Sequence, residues 1–342
     1  MKERRYLNPL PLGDEAPFSK GLMARALTVT GLDPERASLI ARRADRDLGE
    51  RGAHSLDLDR LGELAAEVIG DEEAAKTVRR LRKLDALQRL EDPVLLLVGG
   101  TTGTGKSTIA TEVAHRLGIT RVTSTDFMRQ TMRAFFSEEF MPSVHYSSFE
   151  ARLALTRAEE EESGDAALLG FLDQTRNVLV GVHAALERAA TERWSMVLEG
   201  VHLVPGMVTT EVPAAFVVQC IVAIEDENLH RSHFWVRDYS TEGLRPLEKY
   251  LDSLPQIREI QDYLIERARR HDVPVIPNDS LDRAIAEVMD LVLRRRPLRA
   301  RLAVWLLGTT SSKHFIRSKT RSWAWTSSSS ASCTTSRSTA RA

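Results

Sequence analysis

Cysteine is scarce in this chain: two residues in 342, Cys220 inside an apolar run and Cys333 near the C-terminus. Two cysteines give no disulfide framework, so a core has to hold the fold together, and a reducing, cytoplasmic setting is expected. Long apolar runs are missing too. "LAVWLLG" at 302–308 falls far short of the roughly 18 residues of a membrane span. The opening "MKERRYLNPLPLGDEAPF" has no apolar centre of the kind a leader needs. Net charge is only −1, so bulk charge directs the protein to neither nucleic acid nor an acidic membrane surface. Acidic residues are absent from one region altogether. After Asp290 there are 11 Lys/Arg and no Asp/Glu, whereas residues 1–290 hold 36 Lys/Arg against 48 Asp/Glu.

What is present is an ordinary globular composition, 42% hydrophobic and 28% charged, on a chain long enough for two domains. Residues 1–90 read as helices only. Asp33 and Pro34 form an N-cap and first-turn pair, and Ala37, Ile40, Ala41, Ala44 and Leu48 then recur at helical spacing. Residues 91–296 alternate instead. "VLLLVGG", "ITRVTSTD", "SMVLEGVHL", "AAFVVQCIVAIED" and "VPVIPND" read as strands with helical patterns between them. That alternation predicts an α/β fold: a parallel sheet sandwiched by helices, preceded by a small all-α unit. Residues 297–342, basic and rich in Ser and Thr, lack the composition for a packed core and read as a disordered tail.

Gly100-Thr101-Thr102-Gly103-Thr104-Gly105-Lys106-Ser107 fits G-x-x-x-x-G-K-[ST], with a predicted strand before it and a helix after it. Glycines let successive N–H groups turn to one centre, and the helix beginning at Lys106 aims its positive end there. The pattern predicts ATP and Mg²⁺ as cofactors. Residues 100–107 with Thr108 would line the phosphates, Lys106 would reach the β- and γ-phosphates, and Ser107 would ligate the metal. Glu199, closing the third strand, is the expected second metal-side residue.

Three other stretches bear on where the phosphate goes. "STDFMRQTMR" places Asp126 at the end of the second strand, facing the acceptor or capping a helix, with Arg129 placed to hold an anion. "EGVHLVPG" adds His202, which either meets substrate or lies buried and hydrogen-bonded. "HRSHFWVRDYS" carries Arg231 and Arg237, on a mobile lid or on a solvated basic helix. There is no Asn-Lys-x-Asp element of a GTPase and no motor-type arginine finger.

Taken with the phosphate loop, "EGVHLVPG" and "RPLEKYLDSLPQIREIQDYLIERARRHDVPVIPN" resemble the 2-phosphoglycerate kinase family of archaea and its bacterial relatives, over about residues 15–295. The resemblance implies a nucleoside-monophosphate-kinase-like P-loop fold. It also implies transfer from ATP to 2-phosphoglycerate, giving 2,3-bisphosphoglycerate. Arg245 and Lys249 belong to the second of those stretches and are implied as substrate-side cations. "PFSKGLMARALTVTGLDPERA" is similar to the family's leading segment, itself akin to an ATP-cone, although the cone's basic-Asp-Gly turn is missing. A related plant group concerned with inositol phosphates keeps another phosphorylated polyol in view as acceptor. A nucleotide-sensing regulatory ATPase is the rival from a different class. The expected partner is a small anionic phosphorylated substrate, not nucleic acid or membrane; an oligomer is compatible with the sequence.

Overall fold

A computed structural model describes residues 18–88, 92–156, 165–240 and 247–294. Arg245 and the tail 297–342 lie outside these residues, and for Arg237 only the backbone is described.

Strand β1 (Val94–Gly99) is apolar until its final glycine because both of its faces are covered. Val94, Leu96 and Val98 enter one core, and Leu95 and Leu97 enter another. Burial on both faces is the mark of a central parallel strand. Around β1 lie β2 (Val122–Ser124), β3 (Met196–Gly200), β4 (Phe216–Ala223) and β5 (Val275–Pro277). Every pairing is parallel, in the order β2-β3-β1-β4-β5. The expected α/β sandwich is therefore present.

Four helices precede the sheet: α1 (Lys20–Val29), α2 (Pro34–Arg51), α3 (Leu58–Ile69) and α4 (Asp71–Gln88). The Asp33 carboxylate accepts from the N–H groups of Glu35 and Arg36, with Pro34 in the first turn, as the sequence predicts. Helix α5 (Lys106–Leu117) follows the phosphate loop and ends at Gly118, and α6 (Thr125–Phe135) follows β2. Two 3₁₀ turns (Pro142–His145 and Ala151–Ala154) and the long α7 (Ala166–Thr191) lead to β3. Helix α8 (Glu227–Ser240), α9 (Leu247–Asp252) and α10 (Leu254–Arg270) lie between β4 and β5, and α11 (Leu281–Arg294) ends the described chain.

Strand β2 is shorter than the sequence suggests, and Thr125 and Asp126 belong to the first turn of α6 rather than to the strand end. The cause is local: Ser124 has extended dihedrals, and its hydroxyl accepts from the Phe127 N–H at 3.0 Å, an N-cap that starts the helix early.

The buried faces of α1–α4 do not form a core of their own. Leu27, Ile40, Leu61 and Leu81 share one apolar cluster with Leu96 and Val98 of β1, Ile109 and Val113 of α5, and Ile285 and Val288 of α11. Polar ties cross the same junction. Arg80 donates to Thr30 O at 2.6 Å and pairs with Asp290 at 3.0 Å. Arg25 donates to His115 O in the last turn of α5 at 3.1 Å. All described residues fall within one compact unit, Met1–Arg296.

Candidate active site

Three segments meet at the carboxyl edge of the sheet because the strands run in step. Val98 and Gly99 of β1 pair with Glu199 and Gly200 of β3, and Ser124 of β2 also pairs with Glu199. The phosphate loop thus leaves β1 level with Glu199, and Asp126 lies two residues beyond Ser124. In an open parallel sheet this edge is where ligands bind.

Four successive carbonyls of the loop are engaged, the first from within it and the next three by residues outside it. Thr104 Oγ1 donates to Thr101 O at 3.0 Å. His230 Nε2 donates to Thr102 O at 2.8 Å, His233 Nδ1 to Gly103 O at 3.0 Å, and Asn278 Nδ2 to Thr104 O at 2.9 Å. Gly103 has φ +87°, and a Cβ there would stand 2.6 Å from the Phe234 ring. Gly105 has φ +82°, and a Cβ there would overlap the Asn278 amide. Both backbone angle and crowding exclude a side chain. No side chain caps α5, so its first N–H groups are left to a ligand. Lys106 Nζ is held loosely, 3.4 Å from Thr101 O and 3.9 Å from Glu199 Oε2.

Glu199 is 8% exposed, and its Oε2 has no hydrogen-bond partner. With only the long ion pair to Lys106 and no hydrogen bond, this buried carboxylate oxygen is under-satisfied, which suits a further cation or a cation's water. Ser107, the second residue of α5, is exposed. Among the described residues no three His, Cys, Asp or Glu side chains group as a metal cage.

On the other side, buried polar groups form a chain whose donors and acceptors all match. The Thr125 hydroxyl donates to His202 Nδ1 at 2.8 Å, and His202 Nε2 donates to Gln174 Oε1 at 2.9 Å. Gln174 Nε2 then donates to Ser143 O at 2.5 Å and Tyr146 O at 3.0 Å. Arg129 completes the array by donating to Val144 O at 2.9 Å and Tyr146 O at 2.8 Å. Burial, with the Arg129 charge adding to it, pushes His202 down to about 3, so the ring is neutral, with its proton on Nε2 and Nδ1 accepting from Thr125. Arg129 also grips Asp126 Oδ1 through Nε at 3.0 Å and Nη2 at 2.8 Å. The Asp126 side chain is 62% exposed, with only one of its oxygens so held.

No family model matches the chain. Curated relatives do. A 2-phosphoglycerate kinase of Methanopyrus kandleri is 36% identical over 283 residues, 81% of this chain and 84% of its own length. The Methanothermobacter thermautotrophicus 2-phosphoglycerate kinase is 38% identical over 265 residues, 77% and 85%. The Thermococcus kodakarensis 2-phosphoglycerate kinase is 34% identical over 279 residues, 82% and 93%. The chain belongs to the 2-phosphoglycerate kinase family. Among solved structures, a gluconokinase from Sinorhizobium meliloti covers 65% of this chain and 99% of its own at 15% identity, with a TM-score of 0.34.

Within this 2-phosphoglycerate kinase family member, several residues expected at the substrate take other positions. His202 is 1% exposed with both nitrogens engaged, so it builds the wall rather than touching a ligand. Arg129 is 5% exposed and holds Asp126 and the Pro142–His145 turn. Arg231 lies on the exposed side of α8, where Nε and Nη2 both donate to Glu227 at 3.1 and 2.8 Å. Lys249 pairs with Glu150 at 2.7 Å beside the Phe149 ring. The structure does bring Lys106, Ser107, Glu199 and Asp126 to one edge. Sequence reasoning missed His230, His233, Asn278 and Gln174. The signal for the first two was their spacing, three apart on one helix face. For Asn278 it was its place directly after β5.

Proposed function

We propose that this chain transfers the γ-phosphoryl group of ATP to the free hydroxyl of 2-phosphoglycerate, giving ADP and 2,3-bisphosphoglycerate. The observation that carries the reading is the meeting of the phosphate loop, the Glu199 oxygen that lacks a hydrogen bond and the half-held Asp126 carboxylate at one sheet edge. Family membership points to the same acceptor.

In this reading the N–H groups of the loop and the first turn of α5 hold the β- and γ-phosphates, and Lys106, loosely held between Thr101 O and Glu199, reaches them. Ser107 and Glu199 would hold Mg²⁺, which neutralises charge on the phosphates when bound. Asp126, fixed by Arg129, orients the acceptor hydroxyl and takes its proton as the oxygen bonds to the γ-phosphorus. The bond from that phosphorus to the β,γ-bridging oxygen breaks, and ADP leaves.

The test is ADP release with purified protein, ATP and a panel of acceptors: 2-phosphoglycerate, 3-phosphoglycerate, glycerate, inositol phosphates, and none. Turnover dependent on 2-phosphoglycerate, with 2,3-bisphosphoglycerate identified by phosphorus NMR, is the expected result. Faster turnover with another polyol phosphate would reassign the acceptor, and slow hydrolysis indifferent to acceptor would mark a nucleotide sensor. Lys106→Ala should lower kcat/KM by about 10²-fold or more, the usual consequence of losing one preorganised charge donor.

A further inference from the structure

The two histidines of α8 belong to no expected part of the site, yet both reach the phosphate loop. Each bonds a carbonyl oxygen, and an oxygen there can only accept. The contacts therefore fix His230 as its Nε2–H form and put the His233 proton on Nδ1. Their orientation is itself built. Asp226 accepts from the N–H groups of Asn228 and Leu229 at 2.7 and 3.1 Å to start α8. Gln261 and Arg258 of α10 hold Ile224 O at 2.9 Å each. The His230 ring stacks on Phe234, one turn on, with centroids 5.2 Å apart.

The peptide unit is planar and trans, so its C=O and the following N–H point in opposite directions. Holding Thr102 O outward turns the Gly103 N–H inward. Holding Gly103 O and Thr104 O does the same for the N–H groups of Thr104 and Gly105. The inward Thr104 N–H has only a long contact, 3.5 Å to Thr101 O, in competition with a ligand. Glycines at 103 and 105 could otherwise flip these peptides at little cost.

We propose that His230 and His233, with Asn278 on the opposite flank, are positioning residues that lock the peptides of Thr102–Thr104 so that three N–H groups face the triphosphate. Helix α8 thereby sets nucleotide affinity from behind the loop, without touching nucleotide. This rests on reading the loop as the ATP site.

The test uses four variants of the full chain: His230→Leu and His233→Leu, which remove the donor, and His230→Gln and His233→Asn, which return an amide N–H near the lost Nε2 and Nδ1. ADP affinity is measured by calorimetry, alongside melting temperature and the KM for ATP and for acceptor. Each leucine variant should weaken ADP binding about five-fold, a net hydrogen bond being worth roughly 1 kcal/mol. KM for ATP should rise in step while the acceptor KM stays put. The Gln and Asn variants should return to within about two-fold of wild type, a pattern that mere space-filling would not give. Equal losses in the leucine and amide variants, or unchanged ADP affinity in a folded His233→Leu, would overturn the inference. If His230→Leu does not fold, the half-buried His233 pair decides alone. Because ADP binding needs no acceptor, wild-type protein that fails to bind ADP would instead sink the nucleotide reading itself.

Discussion

His202 shows how much a single residue's surroundings decide. A histidine beside a phosphate site invites a substrate role, but a ring pushed down to about 3 by burial is neutral throughout the physiological range. The linkage sign follows. Its folded value lies below the unfolded value of about 6.5, so the unfolded state binds the extra proton. The contribution is fully present above pH 6.5 and is lost as pH falls toward 3, with a slope approaching about 1.4 kcal/mol per pH unit. His230, lowered by burial as well, adds to the same trend. Urea midpoints should hold nearly level from pH 7.5 to about 6.5 and then fall toward pH 4.5, and a flat profile across the whole range would contradict the neutral assignment. Thr125→Val removes the donor to His202 Nδ1 and leaves a buried acceptor unpaired, for an expected loss of about 1–3 kcal/mol by denaturation. Asp126→Asn keeps the shape but cannot take a proton. It should lower kcat by about 10²-fold or more with ATP affinity within a few-fold, which single-turnover kinetics beside nucleotide titration will separate.

At the scale of elements, α8 and the phosphate loop behave as one unit, because Gly103 is shaped by Phe234 and His230 as much as by its own φ. Gly103→Ala should therefore strain the loop and crowd α8 together, raising the ATP KM by about ten-fold or more while acceptor KM changes little. The elements also mark where sequence ceases to be legible. The Asp33–Pro34 start of α2, the phosphate loop with its flanking strand and helix, and the five strands were readable because their causes are local: capping chemistry, glycine spacing and apolar runs. The start of α6 was misjudged because Ser124 ends β2 by capping, which pattern alone does not separate from strand continuation. The acceptor side was read least well. Whether Arg129 faces a ligand or the carbonyls of Val144 and Tyr146 depends on where a turn some fifteen residues later folds back, and no local period encodes that. The sidedness of α8 is similar: Arg231 was the conspicuous cation, but the face carrying His230 and Phe234 turns inward.

For the whole molecule, the shared core is the main fact. Leu27 and Leu81 pack in the same cluster as β1, α5 and α11, so the helical segment is a wall of the catalytic layer rather than an appendage. Calorimetry should accordingly show one cooperative unfolding transition for the described residues, and two separated transitions would show independent units. Leu81→Ala should cost about 2–5 kcal/mol and lower the melting temperature of the nucleotide site along with that of the helices. Among the described residues no helix is long and apolar enough to cross a membrane.

The strand order has a consequence for how the protein is made. The phosphate loop ends at Ser107, but its supports are Glu199, His230, His233 and Asn278, all encoded at least ninety residues later. During synthesis, then, the glycine loop emerges long before the groups that orient its peptides, and β1 waits for β3 and β4 to arrive on either side. On the proposed role of those contacts, a nascent chain is expected to reach full nucleotide affinity only once β5 and Asn278 have left the ribosome.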